Sequence, residues 1–172
     1  MSEHTLPKTV DPLKYADQNK ILEGSLSIKL MPRLVELLVD SNGTVDVKLE
    51  FDRDAQNYRV LNGELNAKVT LLCQRCLNPV IKPISSQFAL GMVFDDEQAQ
   101  NLPRAYEPLL VSLDSLVVAD VIEEELILSL PMFAYHDNCH NEHAPETESD
   151  DFEKGEEKEN PFDVLSALKI KD

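Results

Sequence analysis

Residues 61–79, from Leu61-Asn62-Gly63 to Asn78-Pro79, restrict the fold more than any other stretch of this 172-residue chain. Leu65, Ala67, Val69 and Leu71 alternate there with Glu64, Asn66, Lys68 and Thr70. A strand sends successive side chains to opposite faces, so this period of two predicts a strand with one apolar face and one wet face. Asn62-Gly63 just ahead of it predicts a type I′ hairpin turn, whose two central residues need positive φ. Cys73-Gln74-Arg75-Cys76 closes the strand, and a second apolar run starts after Asn78-Pro79. The cysteine pair is therefore expected at the tip of a further hairpin, a knuckle.

The same period continues on both sides. Val45, Val47, Leu49 and Phe51 alternate with Asp46, Lys48, Glu50 and Asp52, residues 54–57 turn the chain, and Val80 to Phe94 follows the knuckle. At least four sequential strands in an antiparallel meander are expected, with helices over one face. Asp11-Pro12 offers an N-cap and a first-turn proline for a helix over 13–18. Ile21, Leu22, Leu26 and Ile28 predict a strand, and Met31-Pro32 opens a second short helix that Ser41-Asn42-Gly43 stops. Leu109, Val111 and Leu113 suggest an edge strand. Asp114 is the expected N-cap of a helix over 114–130 that buries Val117, Val118, Val121, Ile122 and Leu126. Glu123, Glu124 and Glu125 then form a solvated acidic face.

The expected class is α+β: an antiparallel β-meander, a few packed helices and a disordered acidic C-terminal tail. The α+β domain covers 1–135. A linker over 136–160 carries the His/Cys cluster and then an acidic disordered run, and a short amphipathic helix over 161–170 ends the chain with Phe162, Val164, Leu165 and Leu168.

Charge narrows the choice of partners. The chain holds 32 acidic residues against 16 Lys and Arg, a formal net of −16. Residues 137–159 alone hold ten acids and two lysines. Phosphate is repelled by such a surface, so bare RNA gains little from counterion release, and the field suits either solubility or a basic partner. Arg53, Arg59, Lys68, Arg75 and Lys82 are the cations that would form a local basic patch if the strands brought them together. Three cysteines, with no signal-peptide pattern at the N-terminus, predict a reducing, cytoplasmic setting rather than disulfides. No apolar run approaches the roughly 18 residues of a membrane span.

One constellation carries chemistry. Cys73-x-x-Cys76 has the spacing of half a structural zinc site, and His136-x-x-x-His140 offers the other half, with Cys139 as alternate ligand to either histidine. About 60 residues separate the halves, far beyond the compact zinc-finger range. Three readings stay open: a zinc site, an inert knuckle, and a redox pair. The last would need the helix N-terminus that lowers a thiol pKa, and the flanks here read as strands. Phosphate-binding glycine loops and serine elbows are absent from the sequence, so no catalytic or cofactor-binding residue is assigned and the chain is expected not to be an enzyme.

Leu61-Asn62-Gly63, Cys73-Gln74-Arg75-Cys76, Tyr106-Glu107-Pro108, the run from Glu123 to Pro131 and Asn160-Pro161-Phe162-Asp163-Val164-Leu165 resemble, in that order, the bacterial large ribosomal RNA subunit accumulation protein family (YceD-like). The resemblance implies a non-enzymatic factor in large-subunit biogenesis that supports synthesis, processing or stability of 23S rRNA. Its partner would be a 23S rRNA precursor or a basic large-subunit ribosomal protein, with no small-molecule substrate and no membrane. Many relatives resemble this arrangement with cysteines in the second half of the site, which makes the histidines here substitute ligands or remnants. The alternative is an acidic chaperone-like binder of a basic protein unconnected with ribosomes.

Overall fold

The computed structural model describes residues 6–112 and 115–139; Asp114, His140, the acidic run and the expected helix over 161–170 lie outside the described residues. An antiparallel meander forms from β2 (Ile21–Ser27), β3 (Thr44–Arg53), β4 (Arg59–Leu72) and β5 (Pro79–Val93), with three strands rather than the expected four between Thr44 and Phe94. A fifth, β6 (Glu107–Leu110), joins the end of β5 in parallel, because the chain crosses back through α3 (Asp96–Gln100) before pairing. The sheet order is β2-β3-β4-β5-β6. A separate two-stranded ribbon pairs β1 (Thr9–Val10) with β7 (Leu116–Val117).

Alternation decides which face is covered. Val45, Val47, Leu49 and Phe51 of β3 share the buried face with Leu61, Leu65, Val69 and Leu71 of β4. Three helices pack on the core side, α1 (Pro12–Asp17), α2 (Pro32–Leu37) and α4 (Val118–Ser129). Each large side chain sealed there, such as Phe51 or Leu65, contributes about 1.5–3 kcal/mol. The Asp11 carboxylate caps α1 by accepting from the Lys14 N–H at 2.9 Å, and Tyr15 meets Phe51 edge-on with ring centroids 5.4 Å apart.

Asn62-Gly63 is not a turn. Both residues lie inside β4, where Asn62 pairs with Glu50 and Ala89, and Gly63 with Leu49 and Phe88. Neither has positive φ. The reason for the glycine is close approach: a Cβ at Gly63 would fall 2.0 Å from Phe88 Cζ, so the ring occupies the space a side chain would need. The β3–β4 turn sits at 54–57 as expected. There Asp54 Oδ1 accepts from the N–H groups of Gln56 and Tyr58, and Asn57 supplies the positive φ of 68°.

The helix that carries Glu123, Glu124 and Glu125 also departs from expectation. Helix α4 starts at Val118, not after Asp114, because Leu116 and Val117 are held in the ribbon and the Val118 N–H donates to Lys8 O at 3.1 Å. Glu123 and Glu125 are only 4% and 8% exposed, which leaves Glu124 as the solvated member. Glu123 does for α2 what the residue at its own N-cap, Met31, cannot. Its Oε1 accepts from the Leu34 N–H at 3.1 Å and its Oε2 from Arg33 Nε at 3.0 Å. A helix leaves its first N–H groups without partners, and a carboxylate from another helix satisfies one here.

Candidate metal centre

The knuckle forms as the sequence predicts. Cys73 leaves β4 with its N–H donating to Asn78 O at 2.9 Å, while Leu77 donates back to Cys73 O at 2.9 Å from a left-handed φ of 58°. Beyond α4, the segment starting at Pro131 crosses this tip. The Gln74 N–H donates to Ala134 O at 2.9 Å, Arg75 Nη1 donates to Cys139 O at 3.1 Å, and the Arg75 guanidinium lies 5.5 Å over the Tyr135 ring. These contacts staple two limbs that are some 60 residues apart in sequence.

Four ligand atoms meet at that staple. Those of Cys73, Cys76, His136 and Cys139 all lie within 4.8 Å of one another. Cys73 Sγ is 3.7 Å from Cys139 Sγ, and Cys76 Sγ is 3.4 Å from His136 Nδ1. A tetrahedron with zinc–sulfur bonds of about 2.3 Å and zinc–nitrogen bonds of about 2.0–2.1 Å has edges of about 3.8 Å and about 3.6 Å. The observed edges fit that figure. They do not fit a disulfide, whose sulfurs sit about 2.0 Å apart. His136 Nε2 lies 3.0 Å from Pro79 O. A carbonyl only accepts, so Nε2 holds the proton and Nδ1 turns its lone pair toward the cysteines.

The electrostatics suit a cation. Burial works to raise the Cys73 pKa, but hydrogen bonds from the backbone N–H groups of Cys76, His136 and Arg75 outweigh it and bring the thiol down to about 5. Burial pushes the Cys139 thiol up, and the adjacent Cys73 and Cys76 push it further. One thiolate is thus favoured in place, while a second is resisted until positive charge arrives. Soft sulfur ligands in a tetrahedron select zinc or iron–sulfur chemistry.

Of the residues expected at this site, Cys73, Cys76 and His136 come together, His140 lies outside the described residues, and Cys139 takes the fourth corner. The overlooked signal is spacing, since His136-x-x-Cys139 repeats the two-residue gap of Cys73-x-x-Cys76. The strands do not gather Arg53, Arg59 and Arg75 into a basic patch. Arg53 Nε and Arg59 Nε both donate to Asp17 Oδ1, at 2.8 and 2.9 Å, and the Arg59 hydrogen bond leads in holding the Asp17 carboxyl down at about 2. Arg75 lies beyond the other end of the 14-residue β4, roughly 40 Å away.

Among the described residues no helix is long and apolar enough to cross a membrane. No solved structure matches the chain. The large ribosomal RNA subunit accumulation protein YceD of Haemophilus influenzae is 33% identical over 174 residues, covering 99% of this chain and 100% of that protein. The family model described as "Large ribosomal RNA subunit accumulation protein YceD" matches residues 61–169, from β4 through the knuckle and α4. With a match over more than half its length and a relative aligned end to end, this chain belongs to the large ribosomal RNA subunit accumulation protein YceD family.

Proposed function

We propose that this protein is a non-enzymatic cytoplasmic factor in large ribosomal subunit biogenesis that supports the synthesis, processing or stability of 23S rRNA. The end-to-end similarity to a relative named for large-subunit rRNA accumulation carries this reading. A net charge of −16 favours a basic large-subunit ribosomal protein over the 23S rRNA precursor as its direct partner. Deleting the gene should lower 23S rRNA relative to 16S rRNA. An unchanged ratio, together with a tagged bait that captures no ribosomal component, would leave the acidic chaperone-like reading instead.

Cys73, Cys76, His136 and Cys139 would hold one zinc ion. All four corners are protein ligands, so the ion would have no open position for substrate and would act as a cross-link between the knuckle and the segment after α4. Arg75 and Ala134 position the two limbs, and Pro79 orients the histidine. Elemental analysis of protein purified without chelators should find about one zinc per chain.

A further inference from the structure

A cleft of about 460 Å³ opens between β6 and α4. Leu90, Leu109 and Leu128 give it apolar walls, and Glu107, Glu124 and Glu125 line the same space. Glu125 is the informative residue. It is 8% exposed, yet among the described residues its carboxylate takes part in no ion pair and no hydrogen bond. No sealed side-chain oxygen lacks a partner among those residues, so the Glu125 carboxylate still reaches the cleft. Burial, and then the charges of Glu107 and Glu124, push its pKa up. Glu123, two residues back on the same helix, shows the contrast, because its buried carboxylate is matched by Arg33 and the Leu34 N–H.

A buried carboxylate facing two others is costly until a cation joins it. A metal ion suits the cleft poorly. Among the described residues only the Cys73, Cys76, His136 and Cys139 group brings three or more ligand atoms to metal-binding separation. Carboxylates spread over apolar walls fit an extended cation with a hydrocarbon stem. Lysine and arginine have that form, and a guanidinium can donate to two carboxylates at once. Phosphate would be repelled. Leu110 beside the cleft is 59% exposed, and among the described residues β6 is the edge strand of the sheet, a side along which a polypeptide can lie.

We propose that this cleft receives an arginine or lysine side chain from a basic segment of a protein partner, with Glu125 and Glu124 holding the head group and Leu109 and Leu128 the stem. The proposal rests on the reading of that partner as a basic ribosomal protein, and it names where such a protein is gripped.

The test uses the full chain and a fluorescein-labelled nine-residue peptide of glycine and serine with a central Arg-Leu-Arg, followed by anisotropy. Glu125→Gln should weaken binding at least tenfold, and Glu124→Gln, at the exposed position, should weaken it in the same direction. Glu64→Gln removes one charge from the outer sheet face and should change binding less than twofold. Equal losses for Glu125→Gln and Glu64→Gln would overturn the proposal, since a diffuse field would then explain the binding. Displacement of the peptide by millimolar calcium chloride, or by a 12-nucleotide RNA, would overturn it as well. The ribosomal reading is checked separately by the 23S to 16S ratio in the deletion strain, so either can fail while the other stands.

Discussion

Replacing Glu123 tests whether one side chain from α4 completes helix α2. Glu123→Ala would leave the Leu34 N–H buried without an acceptor, a loss of about 1–3 kcal/mol. Removing the rest of a 4%-exposed side chain adds roughly 1 kcal/mol for the space left behind. The total is about 2–4 kcal/mol, equivalent to roughly 5–15 °C in melting temperature for a chain of this size. Glu123→Gln keeps an oxygen that can accept from Leu34 and should lose about 1 kcal/mol. Arg33 is 57% exposed, so Arg33→Ala should lose far less than Glu123→Ala. Urea titrations of the three variants give the order. If Arg33→Ala is as damaging as Glu123→Ala, the ion pair and not the cap is what matters, and the reasoning fails. Acidity supplies a second check. Burial works to raise the Glu123 pKa, but hydrogen bonds from Arg33 and Leu34 outweigh it and bring it below the ordinary 4.5. A depressed folded-state pKa contributes stability above about pH 4.5 that fades as pH falls below it. The Gln variant should therefore match wild type more closely at pH 3 than at pH 7.

Glu125 has the opposite sign: its raised pKa means that stability is lost as pH rises above the ordinary carboxylate range, so Glu125→Gln should melt higher than wild type at pH 7 and show no gain near pH 3. Cys139→Ser should lose most of the bound zinc and melt at the temperature of chelator-treated wild type; retention of one zinc per chain would exclude Cys139 as a ligand. Gly63→Ala must displace the Phe88 ring and should lose about 1–3 kcal/mol, whereas a residue in an exposed turn would tolerate the change.

The meander was legible because period two survives through β3 and the second half of β4, and the Asp11 cap because its chemistry is local to four residues. Asn62-Gly63 misled because the pair specifies a turn only when nothing else needs a missing Cβ. Phe88, 25 residues on, needs it. The glutamate run misled for a similar reason. Three carboxylates in a row look solvated until α2 arrives with an orphan N–H and β6 with a wall. At the metal centre the sequence held the ligand types and part of the spacing. Cys139 meets the knuckle where Ala134 and Arg75 pin the chain, and the repeated two-residue gap is the one local trace of it.

The ribbon of β1 with β7 has a consequence in time. Thr9 and Val10 leave the translating ribosome about 107 residues before Val117 and Leu116, their partners. At 5–20 residues per second that interval is roughly 5–20 s, long enough for the neighbouring strands of the meander to pair as they emerge. Val10, 4% exposed in the finished fold, lacks its paired neighbour Leu116 until then. Thr9 and Val10 are thus made early and paired only when β7 emerges. Stalled nascent chains should show protease cleavage near Thr9 and Val10 until Leu116 and Val117 have emerged, and protection there afterwards.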